Sequence, residues 1–372
     1  MAYKKISNIL DLAGKRVLLR VDFNVPVADG NVVDDFRIRK VLPTITFLKN
    51  AGARIILLSH IESGSTLKPV FEHIKAQMPI EFCQDCLEDA SLIKAMKDGD
   101  IVLCENLRLY SGEKTNDPDF AKHLASLGDL YINEAFSVSH RKHASVARIT
   151  EFLPSFAGNV FDREVQTLSE SFHPPQPSLF ILGGAKFDTK IPLITKFSSI
   201  VSKIFVGGAL AHNFFKEQGN EIGQSLFSEG DFHLESILAK GNIIVPVDSI
   251  VERDGKKTAI AIGDCKPTEN MIDDGPSTLE ILKKEIAAAK FILWNGPLGN
   301  YEKGFKEGTE AVAEMIAASG TRSIVGGGDT LATINELHLE DKFGFVSTAG
   351  GAMLDFLAEG TLPGIIALEK SK

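Results

Sequence analysis

Cysteine is scarce, four residues in 372, which excludes a disulfide-stapled scaffold in a chain of this length. Cys83 and Cys86 form a CxxC, but Cys104 and Cys265 supply no second pair at zinc spacing. Incidental reduced thiols are expected, as suits a cytoplasmic protein. Long apolar runs are missing as well. None approaches the ~18–20 residues needed to span a bilayer, and the opening segment MAYKKISNILDLAGK lacks an apolar core. The expectation is a soluble, unsecreted chain with no membrane partner. Positive charge is in deficit: 40 Lys+Arg against 49 Asp+Glu leave −9, too acidic for a general nucleic-acid binder. Two nucleotide signatures are also absent. No GxxxxGK[ST] occurs, and the best glycine cluster has Leu331 where a dinucleotide fingerprint needs its third glycine. There is no internal repeat and no low-complexity tract.

What is present is a repeated α/β pattern. Near-continuous apolar runs predict buried parallel strands at Arg16–Val21, Arg54–Leu58, Asp100–Cys104 and Asp129–Asn133. A second set follows at Leu179–Leu182, Lys203–Val206, Asn242–Val247, Lys290–Trp294 and Ser323–Val325. Helical patterns lie between them, among them Ile38–Ala51, Phe120–Leu127, Ile191–Ser199 and Glu307–Ala318. An amphipathic stretch, Ala157–Phe172, separates the two sets, and His173-Pro174-Pro175-Gln176-Pro177 stops it. The boundary between two domains is expected there. Ligands of open α/β sheets bind beyond the carboxyl ends of strands, so polar residues at those ends outrank the others.

In the first half those ends read Asp22-Phe23-Asn24, Ser59-His60, Glu105-Asn106-Leu107-Arg108, and Glu134-Ala135-Phe136 followed by His140-Arg141. Asp34 or Asp35 caps a helix with Arg37 in its first turn, where a cation opposes the helix dipole and so looks placed for a ligand. Nine of the eleven arginines, all but Arg253 and Arg322, precede residue 170. Each residue alone reads as a surface ion pair or a structural histidine. Together they predict a cleft for a small, doubly anionic molecule.

The second half ends its strands in bare bends: Gly183-Gly184-Ala185-Lys186, Gly207-Gly208-Ala209, Asn295-Gly296-Pro297 with Glu302 following, Gly326-Gly327-Gly328-Asp329, and Ser347–Ala352. So many suggest a flat ligand with phosphates lying across the rim. Lys186 and Lys190 would stack on one helix face. Asp329 and Thr330 are expected at a helix N-cap, with Asp329 able to hold a phosphate-borne Mg²⁺. A tight strand–helix turn capped by an ordinary Asp explains GGGD equally well.

Read in order, VDFNVP, DDFRIR, SH at 59–60, ENLR, EAF…HRKHAS, GGAK…K, WNGP, GGGDT, Ser347–Ala352 and Thr361-Leu362-Pro363-Gly364 resemble phosphoglycerate kinase over essentially the whole chain. The resemblance implies two Rossmann-like α/β domains, each with a mostly parallel sheet flanked by helices, joined by a connecting helix. The expected division is an acid-substrate domain at 1–156, the helix at 157–173, a nucleotide domain at 174–354, and a segment at 355–372 returning to the first domain. It implies reversible phosphoryl transfer between 1,3-bisphosphoglycerate and MgADP, giving 3-phosphoglycerate and MgATP, in-line, with two lobes closing to exclude water. Asp22, Phe23, Asn24 and Arg37 would hold the glycerate end; His60, Arg108 and Arg141 would hold the distal phosphate. Arg37, Lys186 and the Gly350-Gly351 amides would face the transferring group. Lys190, Asn295, Glu302, Gly327, Gly328, Asp329 and Thr330 would bind ATP or ADP, with Asp329 on Mg²⁺. A monomer without nucleic-acid or membrane partners is expected.

The chain departs from the family pattern in places. The usual SHLGRP loop is Ser59-His60-Ile61-Glu62-Ser63-Gly64, so Ser63 stands for a phosphate-clamping arginine and Glu62 for a glycine. DAFGTAH reads Glu134-Ala135-Phe136-Ser137-Val138-Ser139-His140, Ala349 replaces the first glycine of STGGGA, and DIGPKT reads Asp273-Asp274-Gly275-Pro276-Ser277-Thr278. These changes spare most of the nucleotide half and predict a weaker hold on 3-phosphoglycerate. Two other readings stay open at this point: a two-lobed nucleotide-binding homologue with impaired acid binding, and a dinucleotide-dependent dehydrogenase. The second lacks both the glycine fingerprint and an evident hydride partner.

Overall fold

The computed structural model describes residues 2–371 except 63–65, 89 and 254; the Ser63 exchange lies outside the described residues. The chain forms two compact units, Met1–Gln166 with Glu359–Lys372, and Thr167–Ala358.

The first unit is built on six parallel strands: β1 (Arg16–Arg20), β2 (Arg54–Leu58), β3 (Glu81–Cys83), β4 (Ile101–Cys104), β5 (Leu130–Asn133) and β6 (Ser155–Ala157), ordered β3-β4-β2-β1-β5-β6. Their apolar runs are continuous because both faces are covered. Helix α1 (Phe36–Asn50) shows how: Ile38, Val41, Ile45 and Leu48 recur at helical spacing and join Val17, Leu19, Ile55 and Leu57 in one core. Fully burying each such side chain contributes roughly 1.5–3 kcal/mol. The chain's direction across the sheet reverses between β1 and β5, so the polar residues that follow those two strands emerge side by side. Helix α2 (Asn159–Ser169) follows β6, and the division between units falls within it.

The second unit repeats the plan with β7 (Ser178–Leu182), β8 (Lys203–Val206), β9 (Ile243–Ile244), β13 (Phe291–Asn295), β14 (Arg322–Gly326) and β15 (Phe345–Val346). All are parallel in the order β9-β8-β7-β13-β14-β15, the doubly wound arrangement of dinucleotide-binding sheets. Its reversal lies between β7 and β13. An antiparallel sheet of β10 (Asp248–Arg253), β11 (Lys256–Ala261) and β12 (Met271–Asp274) is inserted between β9 and β13. Helices α3 (Phe187–Phe197), α4 (Gly328–Glu336) and α5 (Gly351–Glu359) follow β7, β14 and β15. Helix α6 (Pro363–Lys370) belongs to the first unit, where Gly364 N donates to Ser139 O at 2.8 Å. No single helix among the described residues is long and apolar enough to cross a membrane.

The parallel strands expected from apolar runs are present, with ends shifted by a residue or two except at Asn242–Val247, of which only Ile243–Ile244 pairs. Pro246 has no N–H to donate there. Strands β3 and β6, of three residues each, are too short to show a period. The inserted antiparallel sheet is also unforeseen, since its half-exposed strands lack the continuous apolar run of the others. The expected N-cap at Asp329 and Thr330 is corrected: Gly327, at φ 112°, is the N-cap, and Asp329 lies in the first turn of α4. Thr330 is unavailable because its hydroxyl accepts a bond from Gly296 N at 3.2 Å. Lys186 is likewise the residue before α3 rather than its first, and its side chain is exposed where that of Lys190 is buried.

Candidate active site

In the first unit the polar residues gather beyond β1, β2, β4 and β5. Phe23 is wholly buried, so its side chain belongs to the core and its N–H donates to Ser59 Oγ at 3.0 Å. Asp22 and Asn24, on either side of it, face the strand edge. Arg37 Nη1 donates to Asp22 Oδ2 at 2.7 Å and to Asn24 O at 3.2 Å. The arginine in the first turn of α1 thus turns from its own helix toward the end of β1. Ser137, beyond β5, donates to the same Asp22 oxygen.

Beside this cluster, arginines converge on His60. The ring is buried, with Nδ1 3.3 Å from Arg20 Nη2. Burial first, then the charges of Arg20, Arg108, Arg141 and Arg37, push its imidazolium far below the ordinary range. His60 is therefore a neutral hydrogen-bonding group, and its depressed basicity registers the positive field of that strand edge. His143 reports the same field, lowered to about 4 by burial and then by Arg108, Arg20 and Arg141. Arg20 is held from behind: Nε donates to Ser145 Oγ at 2.9 Å, and Ser145 donates to the buried Glu113 through N at 2.9 Å and Oγ at 2.7 Å. Arg108 Nη1 donates to Glu62 Oε1, and Arg141 Nη2 lies 4.0 Å from that oxygen.

The second unit brings its bends together at the reversal between β7 and β13. Gly183 N donates to Asn295 O at 3.0 Å and Gly184 N to Pro297 O at 2.7 Å. A Cβ at Gly296 would come 2.4 Å from Gly183 O, so glycine is required where these bends cross. Lys190 is buried and turns its ammonium to Gly183 O rather than outward beside Lys186. Burial, partly offset by Asp329 and reinforced by Lys186, lowers it to about 8. Asn295 is buried between the same bends, with Nδ2 3.7 Å from Met353 Sδ. Gly328 and Asp329 are exposed at the head of α4, Gly351 is exposed at the head of α5 with Gly350 half-buried before it, and a Cβ at Gly328, Gly350 or Gly351 would meet nothing within 4 Å.

A cleft of about 510 Å³ opens over these bends, walled by Gly184, Gly208, Leu226, Pro297 and Leu298, with Glu302 and Asp329 at its rim. Apolar walls with a few polar groups at one end fit a base and ribose leading to phosphates. Burial and the charge of Glu302 raise the Asp329 carboxyl, against Lys190. Desolvation beside a second carboxylate is the setting in which an arriving cation is most favourable.

A family model described as phosphoglycerate kinase matches residues 6–360. The chain belongs to the phosphoglycerate kinase family. Phosphoglycerate kinase of Dictyoglomus turgidum is 41% identical, covering 99% of this chain and 100% of that one. The protein of that name from Borrelia garinii subsp. bavariensis is 39% identical with full coverage of both. Among solved structures, phosphoglycerate kinase from Coxiella burnetii aligns with a TM-score of 0.86 at 36% identity over 100% of both chains. The enzyme from Pyrococcus horikoshii aligns at 0.85 and 26% identity over 99% of both. The chain is thus a phosphotransferase, and no finding favours the dehydrogenase or the binding-protein reading.

Within this phosphoglycerate kinase fold, strand-end reasoning missed Arg20, Ser137, Ser145 and Glu113, and the cleft wall Leu226. Arg20 was visible as a charged residue closing an apolar run. Ser145, Glu113 and Leu226 lie beyond no strand end and reach their places only through the tertiary fold.

Proposed function

We infer that the chain catalyses reversible phosphoryl transfer between 1,3-bisphosphoglycerate and ADP, giving 3-phosphoglycerate and ATP. The acid substrate is assigned to the arginine-rich strand edge of the first unit and the nucleotide to the cleft of the second. The observation that carries this reading is the field of Arg20, Arg37, Arg108 and Arg141 around a neutral His60, in a member of this family. Arg20 is buried and adds only its charge, whereas Arg37, Arg108 and Arg141 keep exposed surface, and three such guanidinium groups suit a small ligand with both a carboxylate and a phosphate.

Each residue then has a physical task. Arg108 and Arg141 take the distal phosphate, with His60 as an uncharged hydrogen-bonding neighbour. Asp22 and Asn24 orient the glycerate end, Phe23 supporting them through its backbone. Arg37 and Lys186, with the Gly350 and Gly351 amides, stabilise charge on the equatorial oxygens of the moving group, the main protein contribution to such a transfer. Lys190, Asn295, Gly327, Gly328 and Thr330 shape the phosphate end of the nucleotide cleft, and Glu302 meets the ribose. Asp329 would hold a Mg²⁺ carried by the nucleotide, which supplies charge neutralisation on its phosphates. One carboxylate is the usual protein share for such an ion, phosphates and water providing the rest. The buried cysteines Cys83, Cys86, Cys104 and Cys265 form no disulfide among the described residues, which agrees with a reducing, cytoplasmic setting.

The test is a coupled assay for ATP-dependent phosphorylation of 3-phosphoglycerate. Turnover that needs both substrates and Mg²⁺ supports the reading; no turnover with intact nucleotide binding overturns it.

A further inference from the structure

The phosphate-binding edge of the first unit already holds an anion from its own chain. Glu62 Oε1 accepts from Arg108 Nη1 and lies 4.0 Å from Arg141 Nη2. The Arg108 hydrogen bond holds the Glu62 carboxyl below the ordinary carboxylate range, so it is ionised there.

The backbone beneath this carboxylate is tied down. Glu62 N donates to Asn24 Oδ1 at 2.8 Å. Ile61 is buried, its N–H donating to Asn106 Oδ1 at 3.4 Å and its carbonyl accepting from Asn106 Nδ2 at 3.1 Å. The Glu62 side chain itself is 52% exposed, whereas that of Arg108 is 10% exposed. A swing of Glu62 into water therefore needs only side-chain rotation, while Arg108 stays in place.

The pair is also incomplete. Arg108 Nε is buried without a hydrogen-bond partner among the described residues. A single carboxylate oxygen on Nη1 leaves that donor unused. A phosphate has three oxygens, enough to meet the guanidinium as a fork and reach Arg141 as well.

We propose that Glu62 is the resident counter-ion of the phosphate site, and that the distal phosphate of 3-phosphoglycerate binds by displacing it. The proposal rests on the assignment of Arg108 and Arg141 to that phosphate. Exchange makes the site selective by charge. A dianion gains more from the two arginines than the departing monoanion loses, whereas a second monoanion gains nothing. It also weakens every anion, substrate included, by the strength of the contact it must break.

Glu62→Gln keeps the shape and removes the charge. The KM for 3-phosphoglycerate is expected to fall about fivefold, the equivalent of ~1 kcal/mol for a half-exposed charged pair. The KM for ATP should stay in place. Inorganic phosphate, titrated as a competitive inhibitor and by its shift of Tm, should bind more tightly by a similar factor. Arg141→Ala separates the two levels of the argument. If it leaves the KM for 3-phosphoglycerate unchanged, the assignment of the site has failed, and the exchange with it. If it raises that KM while Glu62→Gln alters neither constant, the exchange alone is overturned and Glu62 is an ordinary surface pair. A raised KM in Glu62→Gln overturns it too, because Glu62 would then be positioning Arg108 for substrate.

Discussion

Arg37 reaches across from the first turn of α1 to lay Nη1 2.7 Å from Asp22 Oδ2, and that oxygen also accepts from Ser137. The side chain of Asp22 is 8% exposed and that of Arg37 30%. A buried carboxylate thus fixes one end of a guanidinium whose remaining surface is open to a ligand. This is the preorganisation that phosphoryl transfer needs, charge set in place before it develops on the substrate.

Arg37→Ala should lower kcat by about 10²–10³ while leaving the Kd for ADP little changed, since the group is proposed to act chiefly on transition-state charge. Steady-state kinetics with an independent ADP titration checks this. Near-normal turnover would remove Arg37 from the mechanism.

Asp329→Asn should weaken MgADP far more than metal-free ADP, because the carboxylate is proposed to act through the ion. Calorimetric titrations with and without Mg²⁺ give the comparison. Equal weakening of both would make Asp329 only a first-turn residue of α4.

Two glycines of the nucleotide unit should respond in opposite ways. Gly328 has open space around it and no left-handed φ, so Gly328→Ala should keep or slightly raise stability, by about 0.5–1 kcal/mol. It should nevertheless weaken ADP if the phosphates approach that backbone. Gly296→Ala meets Gly183 O at 2.4 Å with φ at +97°, so it should destabilise by roughly 2–4 kcal/mol. Thermal melts with ADP titrations distinguish a ligand contact from a turn requirement. Unchanged ADP affinity in Gly328→Ala would assign that glycine to the turn.

Glu134 predicts a pH effect on stability. It is buried beyond β5, takes a hydrogen bond from Thr44, and accepts from Val160 N at 3.0 Å and Phe161 N at 3.5 Å at the start of α2. Burial raises its carboxyl from 4.5 to about 7 despite those bonds. The folded state then holds a proton that the unfolded chain has released, so stability falls as pH rises from about 4.5 to about 7, by on the order of 3 kcal/mol. Glu134→Gln should flatten this slope in urea melts across that range. A slope unchanged by the substitution would show that other groups cause it.

Gly158 tests the same contact sterically. Its Cβ would fall 1.9 Å from Glu134 Oε2, so Gly158→Ala should expel the carboxylate and cost roughly 1–3 kcal/mol, read as a lowered Tm.

The sequence by itself determined the α/β class, the longer parallel strands of both halves, and the strand ends at which polar residues collect. These are local matters: a doubly covered strand must be apolar throughout, and a backbone that approaches a neighbour or a phosphate must be glycine. The ordered motifs also placed the chain in its family. Tertiary structure alone decided where the charges face. It turned Lys190 inward to Gly183 O, set Glu62 on Arg108 across 46 residues, and joined Arg20 through Ser145 to Glu113. It also raised Glu134 and lowered His60 through burial and neighbouring groups distant in sequence. Such effects depend on distance and desolvation in three dimensions, and neither is written in the spacing of residues along a chain.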